Sequence, residues 1–283
     1  MPHLLDALNS GQPVVAAELR PPRAELESAA GMDAWIDTYH AVRSLTRRGT
    51  FVFLTDSAVG AAEEDNLRHL VVNLGVDAPR ERVVPFLTAK HPLEYCLGHA
   101  ARARQHGFPA LVVLGGDRRL GYPRAVEHAW QLRQAIRGRA SDLVLGGWAN
   151  PNGDAARQVS YLLDPRFAGE FYLTQIVTHH DVPPVERFMR EASRGGLALP
   201  GVFGVFYYRS ANARTLSMLG DFIPVPAEGL AREFSSGVSA DEVCARTIRA
   251  MRSLGARHFY ISNLPIDRAA ETLAAILHLV EGG

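Results

Sequence analysis

Eight short apolar segments, separated by longer amphipathic ones, constrain this chain more than any single motif. They span 14–19, 51–55, 83–87, 110–114, 143–147, 171–174, 202–205 and 258–262. Each is strand-length, and the stretches at 33–48, 93–106, 124–136, 185–195 and 240–254 repeat apolar residues with helical spacing. Strands alternating with helices of this length build parallel sheets covered by helices. Eight regularly placed strands predict a single closed (β/α)8 barrel, the TIM barrel, over residues 1–283. A doubly wound open sheet is the alternative, because periodicity does not show whether a sheet closes. No dinucleotide-binding glycine fingerprint follows the first strand, which runs straight into Leu19-Arg20-Pro21-Pro22. The long segment before the eighth strand, through Phe222 and Phe234, reads as an enlarged barrel loop.

Composition narrows the function classes. With 283 residues and 47% hydrophobic content, the chain can bury a large core. Thirty basic side chains balance thirty acidic ones, leaving no global field to attract nucleic acid or an acidic membrane. The start lacks a basic region followed by an apolar run, and no stretch approaches a membrane span, so a cytoplasmic protein is expected. Cys96 and Cys244 fall within helical segments and read as ordinary reduced thiols.

Barrel chemistry is assembled at the carboxyl ends of the strands. Those exits carry Glu18, Thr55-Asp56, Thr88, Asp117, Asn150, Gln175, Tyr207 and Asn263. Acids, amides, hydroxyls and aromatic surface together suit a polar heteroaromatic ligand. Burial at Glu18 would raise its pKa and make it a proton donor, while an ion pair with Arg20 is the structural alternative. Asp117 follows Gly115-Gly116, so a tight turn can aim its carboxylate inward or use it as a helix cap. Gln175 can donate to and accept from a ring bearing adjacent nitrogen and oxygen, or satisfy its own loop. Tyr207 and Tyr208 offer stacking surface or rim packing. The run His179-His180-Asp181 suggests metal ligands, but no further His or Cys pattern completes a set, so no metal is expected. Ser57 and Ser210 lack a nucleophile-elbow setting.

At these exits the chain resembles methylenetetrahydrofolate reductase. Glu18-Leu19-Arg20-Pro21-Pro22-Arg23 is similar to that family's Glu-Phe-Phe-Pro-Pro-Lys/Arg, and Leu114-Gly115-Gly116-Asp117 to its Leu-Arg-Gly-Asp. Phe171-Tyr172-Leu173-Thr174-Gln175 resembles Phe-Ile-Ile-Thr-Gln, Leu199-Pro200-Gly201-Val202 its Pro-Gly-Ile turn, and His258-Phe259-Tyr260-Ile261-Ser262-Asn263 its His-Phe-Tyr-Thr-Leu-Asn. Each match is short, but they fall in one order across nearly the whole chain. The resemblance implies reduction of 5,10-methylenetetrahydrofolate to 5-methyltetrahydrofolate, which supplies methyl groups for methionine synthesis. It implies Glu18 as general acid, Asp117 as the pterin-binding, cation-stabilising carboxylate, and Gln175 as the folate-orienting amide; the stacking surface of Tyr207, and not the resemblance, makes it a further expected substrate contact.

Ordinary members of that family place FAD between NAD(P)H and folate, and here the sequence departs. Phe86-Leu87-Thr88 stands where the family has His-Leu-Thr, Gly115 replaces an arginine, Pro151-Asn152-Gly153-Asp154 replaces Pro-Glu-Gly-His, and Asp164 replaces a basic residue. These departures look like a flavin-independent branch in which NADH passes hydride directly to folate and tightly bound FAD is not expected. Arg118-Arg119 would serve phosphate or the folate glutamate tail, with surface salt bridges as the alternative. Thr55, Thr88, Arg118 and Asn150 are the expected cofactor-binding residues. An FAD-dependent reductase and a noncatalytic pterin-binding barrel are the competing readings.

Overall fold

The computed structural model describes residues 3–22, 28–56, 79–118 and 121–282. Arg23, Ser57 and Arg119, named above, lie outside them. Eight parallel strands pair in sequence order: β1 (Val15–Leu19), β2 (Val52–Leu54), β3 (Val83–Thr88), β4 (Ala110–Leu114), β5 (Val144–Ala149), β6 (Phe171–Val177), β7 (Gly201–Phe206) and β8 (His258–Ser262). The sheet closes where β1 pairs with β8, Ala17 opposite Ile261. This is a (β/α)8 TIM barrel.

Alternation along each strand divides its residues between two cores. Ala16, Phe53, Val84, Phe86, Val112, Phe171, Leu173, Val202 and Tyr260 fill the barrel interior. Their neighbours Ala17, Val52, Leu87, Val113, Phe203 and Ile261 pack outward against the helices. Two interior positions must be glycine. A Cβ on Gly146 would come 2.4 Å from the Phe171 ring, and one on Gly204 2.4 Å from the Tyr260 hydroxyl. Tyr260 is thereby drawn across the interior, and its hydroxyl donates to Thr174 O at 2.6 Å.

Most expected helices form within a few residues of their expected bounds. The exception is 124–136, whose helix spans Ala129–Arg139. The preceding loop is held to the β3 exit instead: Ala125 N donates to Ala89 O at 2.7 Å, and Lys90 Nζ to Tyr122 O at 2.6 Å. Lys90 is the chain's one lysine and is 4% exposed. A helix at Leu4–Asn9, absent from the sequence expectations, inserts Leu4 and Leu8 into the interior core that holds Phe51 and Phe171. The enlarged loop before β8 forms two helices, Ala213–Gly220 and Ala227–Ser235, whose Leu216 and Leu230 pack on Tyr208 and Val243. Among the described residues, no helix is long and apolar enough to cross a membrane. Both cysteines are buried free thiols, and burial pushes Cys96 up to about 12.

Candidate active site at the strand ends

Glu18 follows Ala16 by two residues on β1 and therefore faces the interior at its carboxyl end. The same alternation brings Ser262 inward on β8, two residues beyond Tyr260, and Ser262 Oγ donates to Glu18 Oε1 at 2.7 Å. Removal from water pushes the Glu18 carboxyl up to about 6, and the Ser262 hydrogen bond pulls it partly back. Its partner is this serine rather than Arg20, which is exposed. Asn263, directly after, adopts a left-handed conformation (φ 67°) and donates from Nδ2 to Tyr207 O at 3.0 Å, fastening the β8 exit to β7.

Gln175 sits on a β-bulge. Leu173 pairs with Val202 but Ile176 with Gly204, so three residues of β6 span two of β7. Bulges re-aim side chains at barrel rims. Here Gln175 Oε1 accepts from Ile176 N at 2.9 Å, and its Nε2 reaches Phe222 O at 3.5 Å, on the enlarged loop. Thr174, the other bulge residue, is fully buried and accepts from Gly204 N at 3.0 Å.

Asp117 is half-buried just beyond β4, beside two arginines. The Arg124 guanidinium lies over Gly115, where a Cβ would come 2.7 Å from its Cζ, and it donates to Gly116 O. Burial and the nearby Arg118 charge hold Arg124 below the ordinary arginine range, while Asp117 opposes that shift. Gly115 therefore does not leave its neighbourhood without a cation, because Arg124 supplies one from the following loop. Arg118 is exposed.

Tyr207 and Asp164 stand elsewhere than expected, and Thr88 and Asn150 use polar groups within the protein. Tyr207 points outward: its hydroxyl donates to Asp241 Oδ1 at 2.7 Å and its ring belongs to the helix-side core, so it does not line the mouth. The aromatic surface there comes from inward-facing Phe206 and Trp148, the latter 37% exposed at the end of β5. Thr88 is 2% exposed and spends both backbone N and Oγ1 on Asp56 Oδ2, at 2.6 and 2.9 Å. Asp56 also meets His91 Nε2 at 2.9 Å. Asn150 shapes its own turn, with its Oδ1 accepting from Asn152 N and its backbone N donating to Gln158. Thr55 donates its backbone N to Leu19 O and is half-buried at the β2 exit. Asp164 caps the turn that enters the amino end of β6 and pairs with Arg166, which holds its carboxyl down at about 2. That places it at the opposite end of β6 from Gln175. Asp154 caps the Ala155–Leu163 helix through Arg157 N.

Glu18, Asp117, Gln175, Trp148, Phe206 and Ser262 thus all belong to the carboxyl-terminal rim, a carboxyl of raised pKa among polar and aromatic groups. Trp148 went unrecognised in the sequence because its strand was expected to stop at Gly147. Ser262 carries no sequence signal beyond its place in the segment 258–263.

No family model and no curated protein matches this chain. Solved structures do. An uncharacterized protein from Clostridium thermocellum, described as binding two copies of 5-methyl-5,6,7,8-tetrahydrofolic acid, superposes with a TM-score of 0.69 at 13% identity, covering 98% of this chain and 97% of that one. Dihydrodipicolinate synthase from Oceanobacillus iheyensis gives 0.53 at 13% identity, covering 98% of this chain and 76% of the other. At such identity the likeness is one of fold.

Proposed function

We propose that this protein reduces 5,10-methylenetetrahydrofolate to 5-methyltetrahydrofolate, with NADH passing its hydride directly to the folate. The observation that carries the reading is Glu18, an inward-facing acid that keeps its proton up to about pH 6 at a rim bearing Trp148, Phe206 and the Gln175 amide. The ligand of the similarly folded Clostridium protein is the product form of that folate.

Glu18 gives its proton to the amine nitrogen of the one-carbon bridge as that C–N bond breaks, leaving an iminium carbon. Hydride from NADH adds to this carbon and completes the methyl group, with NAD+ as the oxidised product. Asp117 stabilises the cation, and Gln175 orients the pterin through its second Nε2 hydrogen and second Oε1 lone pair, the others being held by Phe222 O and Ile176 N. Trp148 and Phe206 offer flat apolar faces to the ring system. Arg118 and Thr55 are the remaining contacts for the donor, since Thr88 and Asn150 are engaged within the protein.

The flavin-free form of the reading rests on Phe86, an apolar ring of the barrel interior where the resembled family has histidine. One observation favours an FAD-dependent reductase instead: Arg124 returns a cation to the space beside residue 115. Anaerobic single turnover separates the two. Protein shown spectroscopically to be free of flavin, supplied with NADH deuterated on one nicotinamide face, is expected to place that deuterium in the product methyl group. Activity only after stoichiometric FAD selects the flavin route. Folate binding with no turnover under either condition selects a noncatalytic folate-binding barrel.

A further inference from the structure

The loop leaving β6 carries His179 and His180, and the fold brings to them a residue 53 positions away. Glu233, on the Ala227–Ser235 helix, presents Oε1 at 3.1 Å to His179 Nε2 and Oε2 at 3.0 Å to His180 Nε2. One donor atom from each of the three lies within 4.8 Å of the others. Their side chains are 16, 18 and 12% exposed, so the cluster is shielded yet reachable from solvent.

Neighbouring groups fix the orientation of both rings. His179 Nδ1 lies 2.8 Å from Thr247 Oγ1, and that hydroxyl lies 3.3 Å from Val243 O, the back-bond in which a helical threonine donates. A threonine donating to Val243 accepts from His179, which puts the proton of a neutral His179 on Nδ1. Nε2 then turns a lone pair toward a carboxylate oxygen, and a cation between them satisfies both. His180 is seated because residue 229 is glycine: a Cβ there would come 2.4 Å from His180 Nδ1.

We propose that His179, His180 and Glu233 form a divalent transition-metal site, with water completing the coordination. Two imidazoles and one carboxylate suit Zn2+ and related ions, whereas Ca2+ and Mg2+ prefer oxygen ligands. Nitrogen-to-oxygen separations of 3.0 and 3.1 Å match cis ligands of a six-coordinate ion about 2.1 Å from each, and a tetrahedral ion would draw them slightly apart. Arg246 NH1 also reaches Glu233 Oε1, at 2.8 Å, and competes for that oxygen. Glu242 accepts from Arg246 at 3.0 Å and from Arg249 at 2.7 Å, which draws part of the Arg246 charge away. The ion would brace the β6 exit against the enlarged loop whose Phe222 carbonyl receives the Gln175 amide.

Tag-free, chelator-treated protein is titrated with Zn2+ by calorimetry and with Co2+ by visible absorption. One equivalent is expected to bind and to raise the thermal midpoint. Glu233→Gln and His180→Gln, each checked for folding by circular dichroism, are expected to weaken binding at least about tenfold. Arg246→Gln is expected to tighten it, an outcome that a purely ionic network does not produce. Absence of saturable binding to folded wild type overturns the site. So does one-equivalent binding unchanged in both the folded His180→Gln variant and a His179→Ala, His180→Ala double variant.

Discussion

Glu18 carries an acid–base cost that can be read in stability. Below pH 4.5 its carboxyl is protonated in folded and unfolded chains alike. Between 4.5 and about 6 the unfolded chain ionises it while the folded one holds the proton, so its contribution to stability falls as pH rises and is lost above about 6. Glu18→Gln, a mimic of the neutral acid, is therefore expected to be more stable than wild type by roughly 1–2 kcal/mol at pH 8 and equal to it below pH 4, in denaturant titrations at each pH. The same variant should lose hydride transfer while retaining folate affinity. Ser262→Ala removes the hydrogen bond that favours the carboxylate, so the basic limb of the kcat profile is expected to move to higher pH. An unmoved limb would assign it to another group. Glu18 was legible in the sequence as a carboxylate at a strand exit, and its inward direction follows from standing two residues beyond Ala16, an interior residue. The same count from Val202 would have turned Tyr207 outward, and reading exits by proximity alone obscured that.

At the level of elements, the glycines in the strands report on what crosses the interior. Gly204→Ala would drive a methyl group into the Tyr260 ring and break its reach to Thr174, so a loss of about 1–3 kcal/mol in urea unfolding is expected. Trp148→Ala, on a partly exposed face, should leave stability within about 0.5 kcal/mol and weaken folate binding about tenfold, read as lost fluorescence quenching and a raised Kd. Strand positions were legible because buried parallel strands are near-continuous apolar runs. The loop over 121–128 was not, because it follows tertiary anchors at Ala89 and Lys90 that lie more than thirty residues earlier. The His179-His180-Glu233 cluster escaped for the same reason: no local spacing joins a strand exit to a helix across the enlarged loop.

For the whole molecule, a barrel of this kind is expected to keep stability at the amino ends of its strands and function at the carboxyl ends. The Leu4–Asn9 helix packs at the amino end, with Leu4 and Leu8 almost fully buried. Leu8→Ala is expected to cost about 2–5 kcal/mol of folding stability while leaving folate affinity unchanged, measured by unfolding and calorimetry on one preparation. Eight strands in order made closure an expectation that the β1–β8 pairing bears out, whereas alternation could not reveal the bulge in β6. That bulge bears on length as well as aim. Seen from β7, β6 is one residue too long, and Leu173 and Ile176 face the same interior despite standing three apart. Removing Gln175 would set them two apart, the spacing of an uninterrupted strand. The barrel can be spelled without this residue, so the extra length of β6 serves the direction of the rim rather than closure of the sheet.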